Sequence, residues 1–186
     1  MLLKSMRGAD MRISAGKVID KGKATEEINA KEYILNLMNA SFNGYITVTA
    51  EGNYGLEEGI IVFSEGKIVA SSYNYFTFEK EFRAEEALKR SLNAFLNPRA
   101  IIDSYALESY QVQLFMTLND DYLLKEGVGP ENLTVPNSFS RDFENEVLHS
   151  SKEASGLSRE ALLKKYNLVM LSSPPSLSKG DKNESS

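Results

Sequence analysis

Three short runs rich in β-branched and aromatic residues, broken by glycine-bearing turns, constrain this chain more than any other feature. Residues 45–50, 60–63 and 67–73 each have the length and composition of a strand. Glu65-Gly66 separates the second run from the third. That spacing predicts a two-residue hairpin, because glycine accepts the positive φ such a turn demands. Gly52-Asn53-Tyr54-Gly55 gives a looser turn between the first two runs. The three runs therefore predict an antiparallel meander.

Helical spacing flanks the meander. Residues 17–23 read as an edge strand, and Thr25 reads as the N-cap of a helix that ends near residue 39. In that helix Ile28, Ile34, Leu35 and Met38 recur on one side. A second helix is expected over residues 79–97, with Ala84, Ala87, Leu88, Leu92 and Phe95 on one face and Pro98 as its stop. Residues 100–105 read as a further strand. A third helix is expected over residues 107–125, its apolar face formed by Leu107, Leu114, Phe115 and Leu118. The fold class is then α+β: an antiparallel β-meander with helices packed mainly on one face, followed by a partly disordered C-terminal segment. The organisation reads as a flexible lead-in (1–16), an α+β domain (17–125), a weakly ordered linker (126–157), a short amphipathic helix (158–169) and a disordered tail (170–186). The tail is rich in Ser, Lys and Pro and has too little apolar surface to offset its ordering entropy.

Composition narrows the chemistry. The chain has no cysteine and one histidine, His149. Thiolate chemistry, disulfides and multi-histidine metal sites are thereby excluded. The net charge of −5 gives no cationic face for nucleic acid. No apolar run approaches the ~20 residues of a spanning helix, and no leader is evident, so a cytoplasmic protein without membrane contact is expected. No glycine-rich phosphate loop has the required spacing. No cofactor is expected. Glu57-Glu58 and Asp120-Asp121 are adjacent carboxylates that diverge on a strand or helix, and they read as solvated charge. An enzyme is not expected.

Two stretches could contact a partner. Tyr73, Tyr75, Phe76, Phe78 and Phe82 fall between the last meander strand and the second helix. In an extended run Tyr73 and Tyr75 share one face, and Phe76 and Phe78 the other. Either half of them cap the core and half are partly exposed, or the group forms a contact patch. In the C-terminal helix Leu162, Leu163, Tyr166 and Val169 form an apolar side opposite Arg159, Lys164 and Lys165. So short a helix must dock, either on its own domain or as a tethered motif in another protein's groove.

The runs Gly44-Tyr45-Ile46-Thr47-Val48, Gly59-Ile60-Ile61-Val62-Phe63 and Gly66-Lys67-Ile68-Val69-Ala70, followed by Glu86-Ala87-Leu88, resemble an archaeal family of unknown function. Ile101-Ile102-Asp103, the helix around Gln111 and the segment Arg159-Glu160-Ala161-Leu162-Leu163-Lys164-Lys165-Tyr166 fit the same pattern. More distantly the chain is similar to PatA N-terminal-type domains of bacterial signalling proteins. These resemblances span most of residues 17–168 and bring no catalytic residues. They imply signalling or protein–protein contact. The aromatic stretch stands where the family has a glycine-containing segment. The leading expectation is thus a non-enzymatic interaction or regulatory module with a protein partner. The alternative is a small-ligand sensor with a pocket between the meander and the second helix.

Overall fold

The computed structural model describes residues 11–154. Seven strands and four α-helices alternate along them as β1 (Lys17–Ala24), α1 (Ala30–Asn39), β2 (Gly44–Glu51), β3 (Leu56–Ser64), β4 (Lys67–Tyr75), β5 (Lys80–Arg83), α2 (Ala84–Ala94), β6 (Ala100–Ala106), α3 (Ser109–Leu118), β7 (Leu123–Val128) and α4 (Asp142–Ala154). The strands form one antiparallel sheet in the order β1-β6-β2-β3-β4. The far side of β4 is shared. Ile68 and Ala70 pair with β7, and residues 72–75 pair with β5. The fold is α+β, with the expected meander β2-β3-β4 at its centre.

The meander turns follow from their glycines. Glu65 and Gly66 both have positive φ, 49° and 76°, the backbone of a tight hairpin turn. Gly66 also lies under the end of α1: a Cβ there would meet the Met38 carbonyl oxygen. On β4, a bulge opposite Val62 and Phe63 reverses the alternation. Ile68 consequently faces the same side as Tyr73 and Tyr75, while Ala70 faces the other.

Each sheet face is covered. Against one face α1 places Ala30, Ile34 and Met38, and α2 places Ala87, Leu88 and Leu92; Leu133 and Val147 complete that core. Gly59 lets α2 approach β3 closely, since a Cβ there would lie 2.5 Å from Ser91 Oγ and 2.9 Å from the Tyr73 ring. The opposite face is covered by α3 through Val112 and Phe115, with Met11 and Ile13 packed alongside. Residues 11–16 are therefore packed chain rather than a loose lead-in. Residues 1–10 and the expected C-terminal helix and tail lie outside the described residues.

Several boundaries differ from the sequence reading. Asn29, not Thr25, caps α1, accepting from the Glu32 amide at 3.1 Å. Thr25 is buried, and its hydroxyl donates to the Asn97 and Ala100 carbonyls, tying β1 to β6. The second helix begins only at Ala84, because residues 80–83 pair with β4. The third helix stops at Leu118. There Asn119 Nδ2 donates to the Phe115 carbonyl at 2.7 Å and to Arg12 O at 2.9 Å, while Asn119 Oδ1 accepts from Arg12 N. The chain then turns into β7.

Residues 126–147 are held by polar anchors as well as by the buried Leu133 and Val147. Asn93 on α2 accepts from Ser140 N and donates to Ser140 O, both at 2.8 Å. Arg90 bonds Glu146 at 2.7 Å. The compact unit reaches Val147, and Leu148 onward belongs to a second unit. Exposed His149 sits on that later part of α4.

Candidate functional site: an aromatic patch at one end of the sheet

The expected aromatic stretch divides in two. Tyr73 and Tyr75 remain on β4, point to the α2 side and are buried in the core, with ring centroids 5.1 Å apart. They do not present themselves at the surface. The strand ends at Tyr75, and residues Phe76–Phe78 form a single 3-10 turn. A strict alternation of Phe76 and Phe78 onto one face therefore does not hold. Phe76 is 54% exposed, while Phe78 packs partly against the core.

Two residues not singled out from the sequence extend this exposed end. Tyr54, in the turn between β2 and β3, contacts Phe78 edge-to-face with centroids 5.8 Å apart. Leu56, 56% exposed, opens β3 beside Glu57, the cross-strand partner of Tyr75. It thereby lies at the same end of the sheet as Phe76. The turn and the 3-10 segment touch, since a Cβ on Gly55 would collide with Thr77 Oγ1. Tyr54, Leu56, Phe76 and Phe78 thus gather around one corner. An aromatic between two glycines of a turn was the available signal for Tyr54, because a turn centre has no core to enter.

The turn that presents Tyr54 is held by a carboxylate. Glu144 of α4 accepts from the amides of Asn53 (2.5 Å) and Tyr54 (3.1 Å) and from Asn53 Nδ2 (3.1 Å). Glu57 converges on the same place: a Cβ on Gly52 would meet carboxylate oxygens of both acids. Glu57 accepts from the Tyr73 hydroxyl at 2.7 Å. Burial pushes the Glu57 carboxyl up to about 7, the Tyr73 bond opposes this, and Glu144 adds to the rise. Glu57 and Glu58 do diverge, but the reading of both as solvated charge fails. Burial raises each of them. The Glu57–Tyr73 contact also raises the Tyr73 hydroxyl, after burial as the main cause.

Arg90 of α2 is the largest fully buried side chain among the described residues. It is 1% exposed, stacks at 3.6 Å from the Phe82 ring centroid and 4.8 Å from that of Phe143, and pairs with Glu86 and Glu146. Its Nε has no hydrogen-bond partner among the described residues. Asp121 pairs with Arg83 at 2.9 Å, and the Arg83 guanidinium covers Tyr122. Among the described residues no group of three His, Asp or Glu side chains is placed to hold a metal ion. No helix there is long and apolar enough to cross a membrane.

A separate apolar groove of about 450 Å³ runs outside α2. Leu88 and Leu92 form one wall, and Val128, Leu133, Pro136 and Phe143 the other. It lies beside the second helix, bounded by α2 on one side and by β7 and residues 132–143 on the other, with no lining residue from β2, β3 or β4. Leu162, Leu163 and Tyr166 lie outside the described residues.

Residues 11–119 match the family described as "Uncharacterized protein conserved in archaea (DUF2226)". The chain belongs to this family. A protein of Archaeoglobus fulgidus named "Uncharacterized protein" is 27% identical over 160 residues, which cover 86% of this chain and 58% of that protein. The match therefore spans little more than half of the relative. No solved structure matches the chain. The family match covers the sheet from β1 through β6 together with α3, so the patch-forming residues 54–78 fall inside it.

Proposed function

We propose that this protein is a non-enzymatic interaction module, and that it grips a protein partner through the aromatic corner at Tyr54, Leu56, Phe76 and Phe78. The observation that carries this reading is the exposure of Phe76 and Leu56 at the end of the sheet where Tyr54, on a turn braced by Glu144, meets Phe78. Scattered apolar residues on a surface are ordinary, but an aromatic cluster held in place is the composition of binding hot spots. Bracing by Glu144 reduces the entropy lost on binding. Glu57 and Glu144 are engaged in structural bonds there, which supports binding over catalysis. The resemblance to PatA N-terminal-type signalling domains suggests that the binding is regulatory. A cytoplasmic location fits the same reading.

The test is co-purification from a native lysate with the wild-type chain and with a Leu56→Asp, Phe76→Asp double variant. A partner retained by the wild type should be lost at least tenfold by the variant, with thermal stability unchanged. A partner held equally by both would refute the corner as its site.

The groove outside α2 favours a second reading, a small-ligand sensor. Its apolar lining suits a hydrophobic metabolite. Compounds that raise the melting temperature in the wild type, but not in Leu92→Asn, would support it, because a ligand bound only to the native state stabilises it.

A further inference from the structure

The turn that carries Tyr54 is closed at its base by a backbone bond, Gly52 N to the Gly55 carbonyl at 2.9 Å. Its tip has no such bond. The Asn53 and Tyr54 amides both donate to one oxygen of Glu144, Oε1, while Asn53 Nδ2 donates to the other. Three N–H donors are the set an ionised carboxylate accepts. Glu57 of β3 reaches the same point. The Tyr73 hydroxyl occupies its Oε2 at 2.7 Å. Its Oε1 and Glu144 Oε1 both flank the place of a Gly52 Cβ. The two oxygens therefore lie within the roughly 4–6 Å at which like charges act strongly on one another. The oxygen that clamps the turn is the one that faces Glu57.

We propose that Glu57 and Glu144 form a proton-controlled latch on the aromatic corner: a proton on Glu57 keeps the Asn53-Tyr54 turn clamped to α4, and its loss to solvent lets the turn open. That the latch governs binding rests on the corner being the binding site; the latch itself does not.

A neutral carboxyl beside a carboxylate is stable, whereas two carboxylates in a half-buried site repel. Burial pushes the Glu57 carboxyl up to about 7, against the Tyr73 bond, with Glu144 adding to the rise. The other charged and titratable groups around Glu57 are committed elsewhere. From β4, Tyr73 and Tyr75 face it, and from α2 the Arg90 guanidinium acts on both their hydroxyls. Arg90 is already shared between Glu86 and Glu146 of α4. Lys80 stands opposite Tyr75 on β5, two strands from Glu57. Glu58 points to the other face of the sheet.

The fold decides which contact parts. Glu57 sits in a strand paired on both sides, with Ala50 of β2 and Tyr75 of β4. α4 is anchored by buried Val147 and by the Arg90–Glu146 pair. The bonds from Glu144 to the turn tip are what remains to give. A protonated pair presents Tyr54 fixed against Phe78, and an ionised pair frees it, which adds an ordering cost to any binding there.

NMR relaxation of the full chain at pH 6 and pH 8 checks the inference. The Asn53 and Tyr54 amides should have rigid order parameters of about 0.85 at pH 6 and fall below about 0.6 at pH 8, while Val48 in the centre of β2 stays rigid at both. Their amide proton shifts should titrate together with a midpoint near 7. Glu57→Gln should keep the turn rigid at both pH values, and Glu144→Ala should leave it mobile at both. A wild-type turn equally rigid at pH 6 and pH 8 overturns the inference, and that measurement needs no variant to fold. So does a turn that still loosens in Glu57→Gln, or one that loosens only together with Val48. All of these readings are made on the protein alone, so they stand apart from the co-purification that tests the corner as a binding site.

Discussion

At the scale of single residues, the side chains with the most altered chemistry serve the architecture. Glu57 is the clearest case. Its carboxyl is raised from 4.5 to about 7, mainly by burial. A carboxyl with a raised folded value favours the native state while protonated, and that contribution is lost as pH rises through the folded value. The cost of ionising Glu57 therefore develops between pH 4.5 and about 7. Urea midpoints of the wild type and Glu57→Gln should agree near pH 4, and the variant should be the more stable at pH 8. A difference that stays constant with pH would show that Glu57 does not titrate in this window. Arg90 is a second case. Its planar group lies between Phe82 and Phe143 and reaches two carboxylates. Lysine cannot fill that flat slot. Arg90→Lys should lower the unfolding free energy by about 1–3 kcal/mol, measured by denaturant titration. If Lys is tolerated, charge alone matters there and the stacking does not.

At the scale of elements, local patterns named the parts but did not always end them correctly. The hairpin at Glu65-Gly66 was legible because two positive φ angles leave few residue choices. The stop of α3 was not legible, because it depends on Asn119 meeting Arg12, which lies 107 positions away. The orientation of α3 was only half legible. Leu114 and Leu118 were expected in the core with Phe115, yet the sheet covers only the Val112 and Phe115 side. The contact of α2 with β3 depends on the absence of a side chain at Gly59. Gly59→Ala forces a methyl against Ser91 Oγ and the Tyr73 ring, and should destabilise the protein by about 1–3 kcal/mol in thermal or urea unfolding. An unchanged midpoint would mean that α2 can move outward at no cost.

At the scale of the whole molecule, residues 126–147 decide what counts as the domain. Their few apolar residues read as a linker, but Leu133 and Val147 are buried in the same core as the meander. Val147→Ala should lower the stability of the entire sheet by about 1–3 kcal/mol, and hydrogen exchange in β2 and β3 should report the loss. A variant that loosens only α4 would show that this segment folds apart from the sheet. The sequence by itself determined the α+β class, the three meander strands and their turns, and the existence of an aromatic group before the second helix. These features rest on backbone periodicity and on turn geometry, which neighbouring residues set. Only the tertiary structure decided that β6 enters between β1 and β2, that Tyr73 and Tyr75 are buried while Phe76 is not, and that Tyr54 and Leu56 join Phe76 at one corner. Those outcomes depend on which surfaces, distant in the chain, exclude water from one another, and no local pattern encodes that pairing.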